Sequence, residues 1–445
     1  MANDWKKARL GDLVEIKHGW PFKSELFSET LTGKPIVMSI GNFNYTGGLR
    51  LDSTSLKEYR GEFPEEYVLS AGDILLVMTC QTAGGEILGI PARIPSDDRT
   101  YLHNQRLGKV IVKDQSKIDL SFLYWLFLFP AFNRELVNSA TGTKILHTAP
   151  SRIQAFEFAL PTLEEQLSIA RILWTLEKKI ELNRKMNETL EAMVRALFKS
   201  WFVDFDPVRA KAEGRDPGLP ASVAALFPDS FEDRELEQLP NGWQQIPLYE
   251  IAEFSNGAAY RDMHFSPIGE GLPVIKIAEL KAGVTDSTRF TTTELGGKYR
   301  IDQREILFSW SGNPDTSIDT FIWDGGPAWL NQHIFRVREN GTASRTWIYC
   351  LLKSLRPVFA EIARDKQTTG LGHVTIADMK RLMVCRPPPE VAKVFDTFAA
   401  PILERVFSNQ LQINLLKDIR DNLLPRLISG DLQLTKSDAL IEVIV

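Results

Sequence analysis

Cysteine is scarce in this sequence: Cys80, Cys350 and Cys385 are the only three in 445 residues. They are too few and too scattered for a disulfide framework or a CxxC metal knuckle, and they point to a reducing, cytoplasmic setting. Long apolar runs are also lacking. The nearest, Phe122 to Phe132, is eleven residues long and contains Pro130, well short of the eighteen or so needed to span a bilayer. The opening Met1-Ala2-Asn3-Asp4-Trp5-Lys6-Lys7 turns polar at once, unlike a signal peptide, so no membrane partner is expected. Nor is there an excess of positive charge. With 52 Lys and Arg against 57 Asp and Glu, the net charge is −5, which argues against a protein that coats DNA by bulk attraction.

Catalytic signatures are missing as well. A phosphate-binding loop needs GxxxxGK[ST], and Gly142-Thr143-Lys144 supplies only a fragment. Gly269-Glu270-Gly271 runs into Leu272-Pro273 rather than completing a dinucleotide fingerprint. Asn313-Pro314-Asp315-Thr316 lacks the second proline and the aromatic with which an amino-methyltransferase would grip a flipped base, and reads as a turn. The six histidines form no HExxH or other metal spacing, so no metal site is expected. No carboxylate pair stands out for acid–base work. The expectation is a chain that reads or scaffolds, with no catalytic residue and no cofactor of its own.

What is present is a repeat. Trp5 matches Trp243 and Leu10 matches Leu248 at an offset of 238, as do His18-Gly19 with Asn256-Gly257 and Pro35-Ile36-Val37 with Pro273-Val274-Ile275. Ile74-Leu75 meets Ile306-Leu307 at 232, Asn104-Gln105 meets Asn331-Gln332 at 227, and Phe122-Leu123-Tyr124 meets Trp347-Ile348-Tyr349 at 225. His147 with His373 and Pro161 with Pro387 follow at 226. Order is kept throughout, which identifies a tandem duplication. Charge follows the same rhythm: residues 1–160 sum to zero and 243–386 to +1, while 161–242 carry −4 and 387–445 carry −2.

Each repeat has two parts. Residues 1–160 and 243–386 place short apolar runs, such as Ile74 to Met78 and Ile334 to Val337, between Gly, Pro, Asn and Asp. They read as mixed, mostly β modules, with buried helical turns at Phe122 to Leu128 and Trp347 to Leu355. Glu164 to Trp201 and Glu390 to Leu427 contain no glycine and are rich in helix formers. Leu173, Leu176, Ile180, Asn183, Asn187, Leu190, Val194, Leu197 and Trp201 fall at 3-4 spacing, and adding 226 gives a matching series from Ala399 to Leu427. Such a seam predicts two long helices, at 161–205 and 387–432, pairing as an antiparallel coiled coil; long amphipathic helices lying on a globular core are the alternative. Pro401 predicts a start or a kink in the second helix. Asn183 and Asn409 share one seam position and are candidates for fixing helix register. Replacing both by leucine is expected to raise thermal stability while permitting alternative pairings. Residues 206–242, with five prolines, read as a linker with one helical turn at Ala221 to Leu226, and residues 433–445 as a short tail. The fold class is therefore α+β.

The polar chemistry suits base reading better than catalysis. Asn and Gln pair with adenine, and Arg with guanine, in the major groove. Asn104-Gln105-Arg106 and Asn331-Gln332-His333 sit at matching strand entrances. Lys23, Lys144, Arg261, Lys276 and Lys366 lie in Gly-, Ser- or Thr-containing loops suited to phosphate contacts. For each, a solvated surface residue or a turn-capping amide is the plain alternative. His147 and His373 fit repeated hydrogen-bonding roles as well as functional ones.

The chain resembles the specificity subunits of type I restriction–modification enzymes over nearly its whole length. The resemblance rests on Trp5 with Leu10-Gly11-Asp12-Leu13, Gly72-Asp73-Ile74-Leu75, His103-Asn104-Gln105-Arg106 and Leu160-Pro161-Thr162-Leu163-Glu164-Glu165-Gln166. It continues through Trp201 to Phe205, Trp329 to His333 and Leu423 to Leu432, and departs at Pro388-Pro389-Glu390, where Glu-Glu-Gln is lost. It implies that 1–160 and 243–386 are target-recognition domains, each reading half of a split site in double-stranded DNA. It also implies that the helices separate them and dock two methyltransferase subunits, with motor-nuclease subunits joining; S-adenosylmethionine, ATP and Mg2+ would belong to those partners. Glu164 to Trp201 is 38 residues, about 57 Å of helix, or on the order of 17 base pairs at about 3.4 Å each. The rival expectation is a non-catalytic coiled-coil adaptor whose modules bind proteins.

Overall fold

The computed structural model describes residues 5–233, 238–367 and 371–432. The tail expected at 433–445 lies outside the described residues. The chain divides into two units, residues 1–180 with 415–445, and residues 181–414.

In the first unit, a four-stranded antiparallel sheet has the order Val14–His18, Leu107–Val112, Ile74–Val77, Pro91–Arg93. A second, five-stranded sheet runs Phe27–Ser28, Glu58–Tyr59, Ile36–Met38, Tyr101–His103, Val68–Leu69, with Tyr101–His103 parallel to Ile36–Met38. Every side chain of Ile74–Val77 is buried, as expected of a strand with covered faces. Helices Leu120–Phe127 and Pro130–Ser139 pack their apolar side chains into the same core. The first starts where the Asp119 side chain accepts the Phe122 amide, an N-cap. Strand Lys6–Arg9 pairs antiparallel with Glu157–Leu160, so the module begins and ends on one two-stranded ribbon.

The second unit repeats this plan. Its four-stranded sheet is Glu253–Asn256, Ile334–Arg338, Ile306–Ser309, Asp319–Ile322. Its partner sheet is Phe290–Thr291, Leu272–Ile275, Ala328–Leu330, Arg300–Ile301, with the middle pair parallel. Helices Arg345–Ser354 and Arg356–Asp365 follow, the first capped by the Ser344 hydroxyl. Gln244–Pro247 and Met383–Arg386 form the closing ribbon. The expected duplication is thus a duplication of topology, down to the one parallel pair in each module.

The long helices span Leu163–Phe202 and Pro389–Ser429. At the first start, Thr162 and Glu165 form a reciprocal capping box: the Thr162 amide donates to Glu165 Oε2 at 2.8 Å and the Glu165 amide to Thr162 Oγ1 at 3.4 Å. Gln166 is fully buried, accepting from the Asp119 amide and donating to the Lys117 and Pro161 carbonyls. This gives the Thr-x-x-Glu-Gln run its physical reason: it fastens the helix to the module before it. The second helix instead starts on Pro389, whose missing N–H costs nothing in the first turn.

Pro401 neither starts nor ends that helix. It lies inside it, on an exposed face, while Val391, Phe395, Ala399 and Leu403 repeat every four residues into the core. That apolar burial offsets the interior proline penalty of about 3 kcal/mol. The seam is also less regular than a strict heptad: Leu403 and Phe407 are buried where Ile402 and Val406 were expected to be, and the latter two are only half-buried.

Within the second unit the helices run antiparallel. Asn183 Nδ2 donates to Gln412 Oε1 (2.8 Å), Asn409 Nδ2 to Asn187 Oδ1 (2.9 Å) and Asn187 Nδ2 to the Val406 carbonyl (3.1 Å). Asn183 and Asn409 are each only 2% exposed. Within the first unit, Arg420, a seam position, bonds Glu177 and Asp421. Because Asn183 and Asn409 do not bond each other, exchanging that pair for leucine would strand the amide of Asn187. Asn409→Leu alone is expected to cost about 1–3 kcal/mol by leaving a buried acceptor unmet, whereas Asn187→Leu with Asn409→Leu is expected to be near neutral or stabilising. Denaturant unfolding of the two single variants and the double closes the cycle; additive costs would show that the two amides are not coupled.

The segment expected to be a linker is folded into the second unit. It contains helices Asp206–Ala212 and Ala221–Ala224 and the paired strands Phe231–Asp233 and Gln238–Pro240. Val208, Val223, Phe227 and Leu239 join the core with Trp201, Phe202 and Trp243. Proline density signalled turns correctly, but the apolar residues between the turns decide the packing.

Candidate nucleic-acid interface

In each module three other segments are linked by backbone hydrogen bonds around one turn. In the first, Asn104-Gln105-Arg106 is the tight connection between strands Tyr101–His103 and Leu107–Val112, closed by the Leu107 amide on the Asn104 carbonyl (3.0 Å). Trp20 brackets it, donating its amide to the His103 carbonyl (2.8 Å) and accepting the Gln105 amide (3.0 Å). The Met78 amide bonds the Arg106 carbonyl (2.9 Å), and Met78 in turn accepts from Thr148 (3.0 Å). In the second module, the Ala258 amide bonds Leu330, the Gln332 amide bonds Ala258, the Trp310 amide bonds His333 and the Val374 amide bonds Trp310. The backbone scaffold is the same and the side chains differ.

Glycine has a specific role here. A Cβ on Gly19 would lie 2.2 Å from the Asn104 carbonyl oxygen, and one on Gly257 the same distance from that of Leu330. Only a residue without a side chain lets the first segment approach the turn, which explains the matched Gly in His18-Gly19 and Asn256-Gly257.

The Asn-Gln pairs are therefore turn residues, not strand entrances. Asn104 Oδ1 accepts the Arg106 amide (2.9 Å) and Asn331 Oδ1 accepts the His333 amide (3.3 Å). Their carbonyl ends serve the turn, as Asx turns do, and Asn331 is buried. The exposed side chains on the two turns are Gln105 and Arg106 in one and His333 in the other, with Gln332 half-buried. His333 lies edge-on to the Trp310 ring at 5.7 Å, and Trp310 Nε1 donates to Asn256 Oδ1 at 3.0 Å. In the first module Trp20 leans on Tyr67 (5.4 Å), whose ring also carries the Lys17 ammonium at 5.1 Å. Trp20, Tyr67, Trp310 and Asn256 were not among the candidate site residues read from sequence. The differing residues at matched offsets, Trp20 against Ala258 and Met78 against Trp310, were the available signal.

The expected phosphate contacts fare unevenly. Lys23 and Arg261 are exposed and occupy equivalent places, each preceding a short 3-10 turn, Ser24–Leu26 and Asp262–His264. Lys276 is exposed, directly after Ile275, whose carbonyl accepts the Asn331 amide. Lys144 is exposed on the loop preceding strand Leu146–His147. Lys366 is not available: its ammonium is bonded to both oxygens of Asp378. Burial works against the Asp378 carboxylate, but Lys366 and the Thr375 donors outweigh it and hold its pKa below the ordinary range. That ion pair, with Thr375 capping Ile376–Arg381, is structural.

His147 Nδ1 and the Thr79 hydroxyl are 3.1 Å apart, and His147 and His373 both lie on two-residue strands at equivalent places, beside Thr79–Cys80 and Ser311–Gly312. Among the described residues no cluster of His, Cys, Asp and Glu could hold a metal ion, and no helix is long and apolar enough to cross a membrane.

Known proteins share this plan. The family model for the type I restriction modification DNA specificity domain matches residues 2–192 and again 240–419. The chain is 27% identical to the MjaIX specificity subunit of Methanocaldococcus jannaschii, over 74% of this chain and 72% of that one. It is 24% identical to the HindI specificity subunit of Haemophilus influenzae, over 97% and 100%. In fold it is similar to the crystal structure of a type I restriction-modification S subunit from M. genitalium, with a TM-score of 0.56 at 16% identity and 98% coverage of both chains.

Proposed function

The chain belongs to the type I restriction modification DNA specificity family, and from that premise we propose that its two modules each read one half of a bipartite site in double-stranded DNA. The observation that carries this reading is the repeated turn: one backbone scaffold, stabilised by the same hydrogen bonds, presents Gln105 and Arg106 in one module and His333 beside Trp310 in the other. An arginine can grip guanine through O6 and N7, and an imidazole can reach a purine N7. Two similar scaffolds with different exposed side chains suit two short, unlike half-sites. Lys23, Lys144, Arg261 and Lys276 supply phosphate contacts that set register without carrying sequence.

On this reading the chain has no chemistry of its own. It assembles in the cytoplasm with methyltransferase and motor-nuclease subunits, which bring S-adenosylmethionine, ATP and Mg2+, while the long helices set the spacing and provide the docking surface. The near-neutral modules fit a reader whose hold on phosphate is shared with partners. An adaptor that binds only proteins is less favoured, because the exposed residues on both turns are base-reading types.

Co-expression with the genes that neighbour its own, followed by mapping of methylated bases, is expected to give one bipartite site with unread base pairs between its halves. Modification without sequence preference would overturn the proposal. The isolated chain is expected neither to methylate nor to cut. Gly257→Ala, which forces the 331–333 turn away from Ala258, is expected to abolish discrimination at one half-site and leave the other intact.

A further inference from the structure

Residues 261–271 of the second module form a loop beside the Asn331-Gln332-His333 turn. The Gln332 amide bonds Ala258, three residues before the loop begins. Two large apolar side chains stand out on it: Met263 is 83% exposed and Ile268 76%. Among the described residues these are the two most exposed large apolar side chains, and both stand on the one loop, next to the turn. The surroundings are cationic. Lys276 and Arg289 both lie over the Phe265 ring, at 5.3 and 4.3 Å, and Arg261 is exposed at the start of the loop. Against them stand Asp262, 3.9 Å from Arg289, and Glu270 at the far end of the loop.

The first module does not share this tip. Its matching 3-10 turn is Ser24–Leu26, where the same offset of 238 places Glu25 opposite Met263 and Thr30 opposite Ile268. The asymmetry is therefore a property of side chains on equivalent loops.

We infer that Met263 is an apolar wedge which enters a base step of the half-site read by the second module, with Arg261, Lys276 and Arg289 holding the flanking phosphates. The inference rests on the DNA-reading function above. A methionine suits this role, being unbranched, flexible and polarizable, and apolar side chains set between base pairs unstack them. Charge selects duplex DNA as the occupant: three cations beside an apolar tip complement a polyanion with stacked apolar interiors. The first module, with Glu25 at the same place, has no such wedge and leaves its half-site stacked.

The test uses the full chain assembled with its methyltransferase subunits. The duplex carries its mapped site, with 2-aminopurine placed in turn at steps of each half-site other than the methylated bases. Unstacking raises 2-aminopurine fluorescence. The expected result is a rise at one step of the second module's half-site and none from a wedge in the first. Met263→Glu, which introduces the first module's residue, and Met263→Ala are expected to lose that rise while cognate DNA is still preferred over random DNA; Met263→Leu is expected to retain it. A rise unchanged in the Glu and Ala variants, or one of equal size in both half-sites, would overturn the wedge and leave the reading function standing. So would variants that change only assembly with a protein subunit. A wild-type complex with no preference for any DNA sequence would overturn both.

Discussion

Replacing residues 1–160 by the equivalent module of a relative is expected to change one half of the methylated DNA site and to leave the other half unchanged. The module's own construction supports this. Its ends pair with each other, Lys6 opposite Leu160 and Arg9 opposite Glu157, so both junctions lie on one ribbon. The second module closes the same way, with Gln244 opposite Arg386 and Pro247 opposite Met383. Each module has its own sheets and its own reading turn, so no base-contacting residue proposed for one half depends on the other. The exchange must respect one surface. Trp174 of the long helix packs on Tyr124 and Trp125 at 4.8 and 5.2 Å, with Arg93 over its ring at 5.2 Å. A donor module with small residues at these positions would leave cavities costing about 3–5 kcal/mol for each lost aromatic, so the expected half-site switch is best sought with donors that keep them. Sequencing of methylated positions reads the outcome directly. Both half-sites changing together, or one continuous site, would end the two-reader reading.

Much of this organisation was legible in the sequence because it depends on patterns that repeat. The offsets of 238, 232, 227 and 226 marked equivalent strands, and in the structure those strands have the same order and the same parallel pair. The helices were legible because four heptads of 3-4 spacing without glycine leave little else to form. What was not legible depended on partners distant in sequence. Lys366 looked like a free loop cation because nothing local shows that Asp378 would be buried beside it. Residues 206–242 looked like a linker because prolines dominate the local signal, while the aromatic contacts of Phe227 with Trp201 and Trp243 arise only on folding. The Asn-Gln pairs were named from sequence, but the side-chain oxygens of Asn104 and Asn331 proved to serve the turns. Arg106 and His333 beside them were named from sequence too, while the tryptophans that come from different segments in the two modules needed the tertiary structure.

Acidification from pH 7 to pH 4 is expected to destabilise the first module more than the second, and His103 is the reason. Its ring is 1% exposed within the sheet that carries the reading turn, with Nε2 2.8 Å from the Leu107 carbonyl. Burial pushes its pKa down to about 4; the bond to Leu107 opposes this, while Lys109 and Lys17 add to it. In the unfolded chain the ring titrates near 6.5. The native state therefore holds it neutral where the unfolded state takes up a proton, so stability is complete above about pH 6.5 and falls as pH drops toward 4. A difference of about 2.5 pH units corresponds to about 3 kcal/mol. The second module lacks this liability: the offset of 227 places Leu330 at the equivalent position, and there the carbonyl of Ile334, equivalent to that of Leu107, accepts the Gly257 amide instead (3.1 Å). Hydrogen exchange followed on peptides covering 101–112 and 328–338 separates the two. The first is expected to lose protection steeply between pH 6.5 and 4, after correction for intrinsic exchange rates, and the second to lose much less. His103→Gln, which keeps an N–H for Leu107 but cannot be protonated in this range, is expected to flatten the dependence of the first peptide. Parallel acid sensitivity of both peptides, or a variant as acid-sensitive as the wild type, would show that carboxylates rather than His103 govern the response.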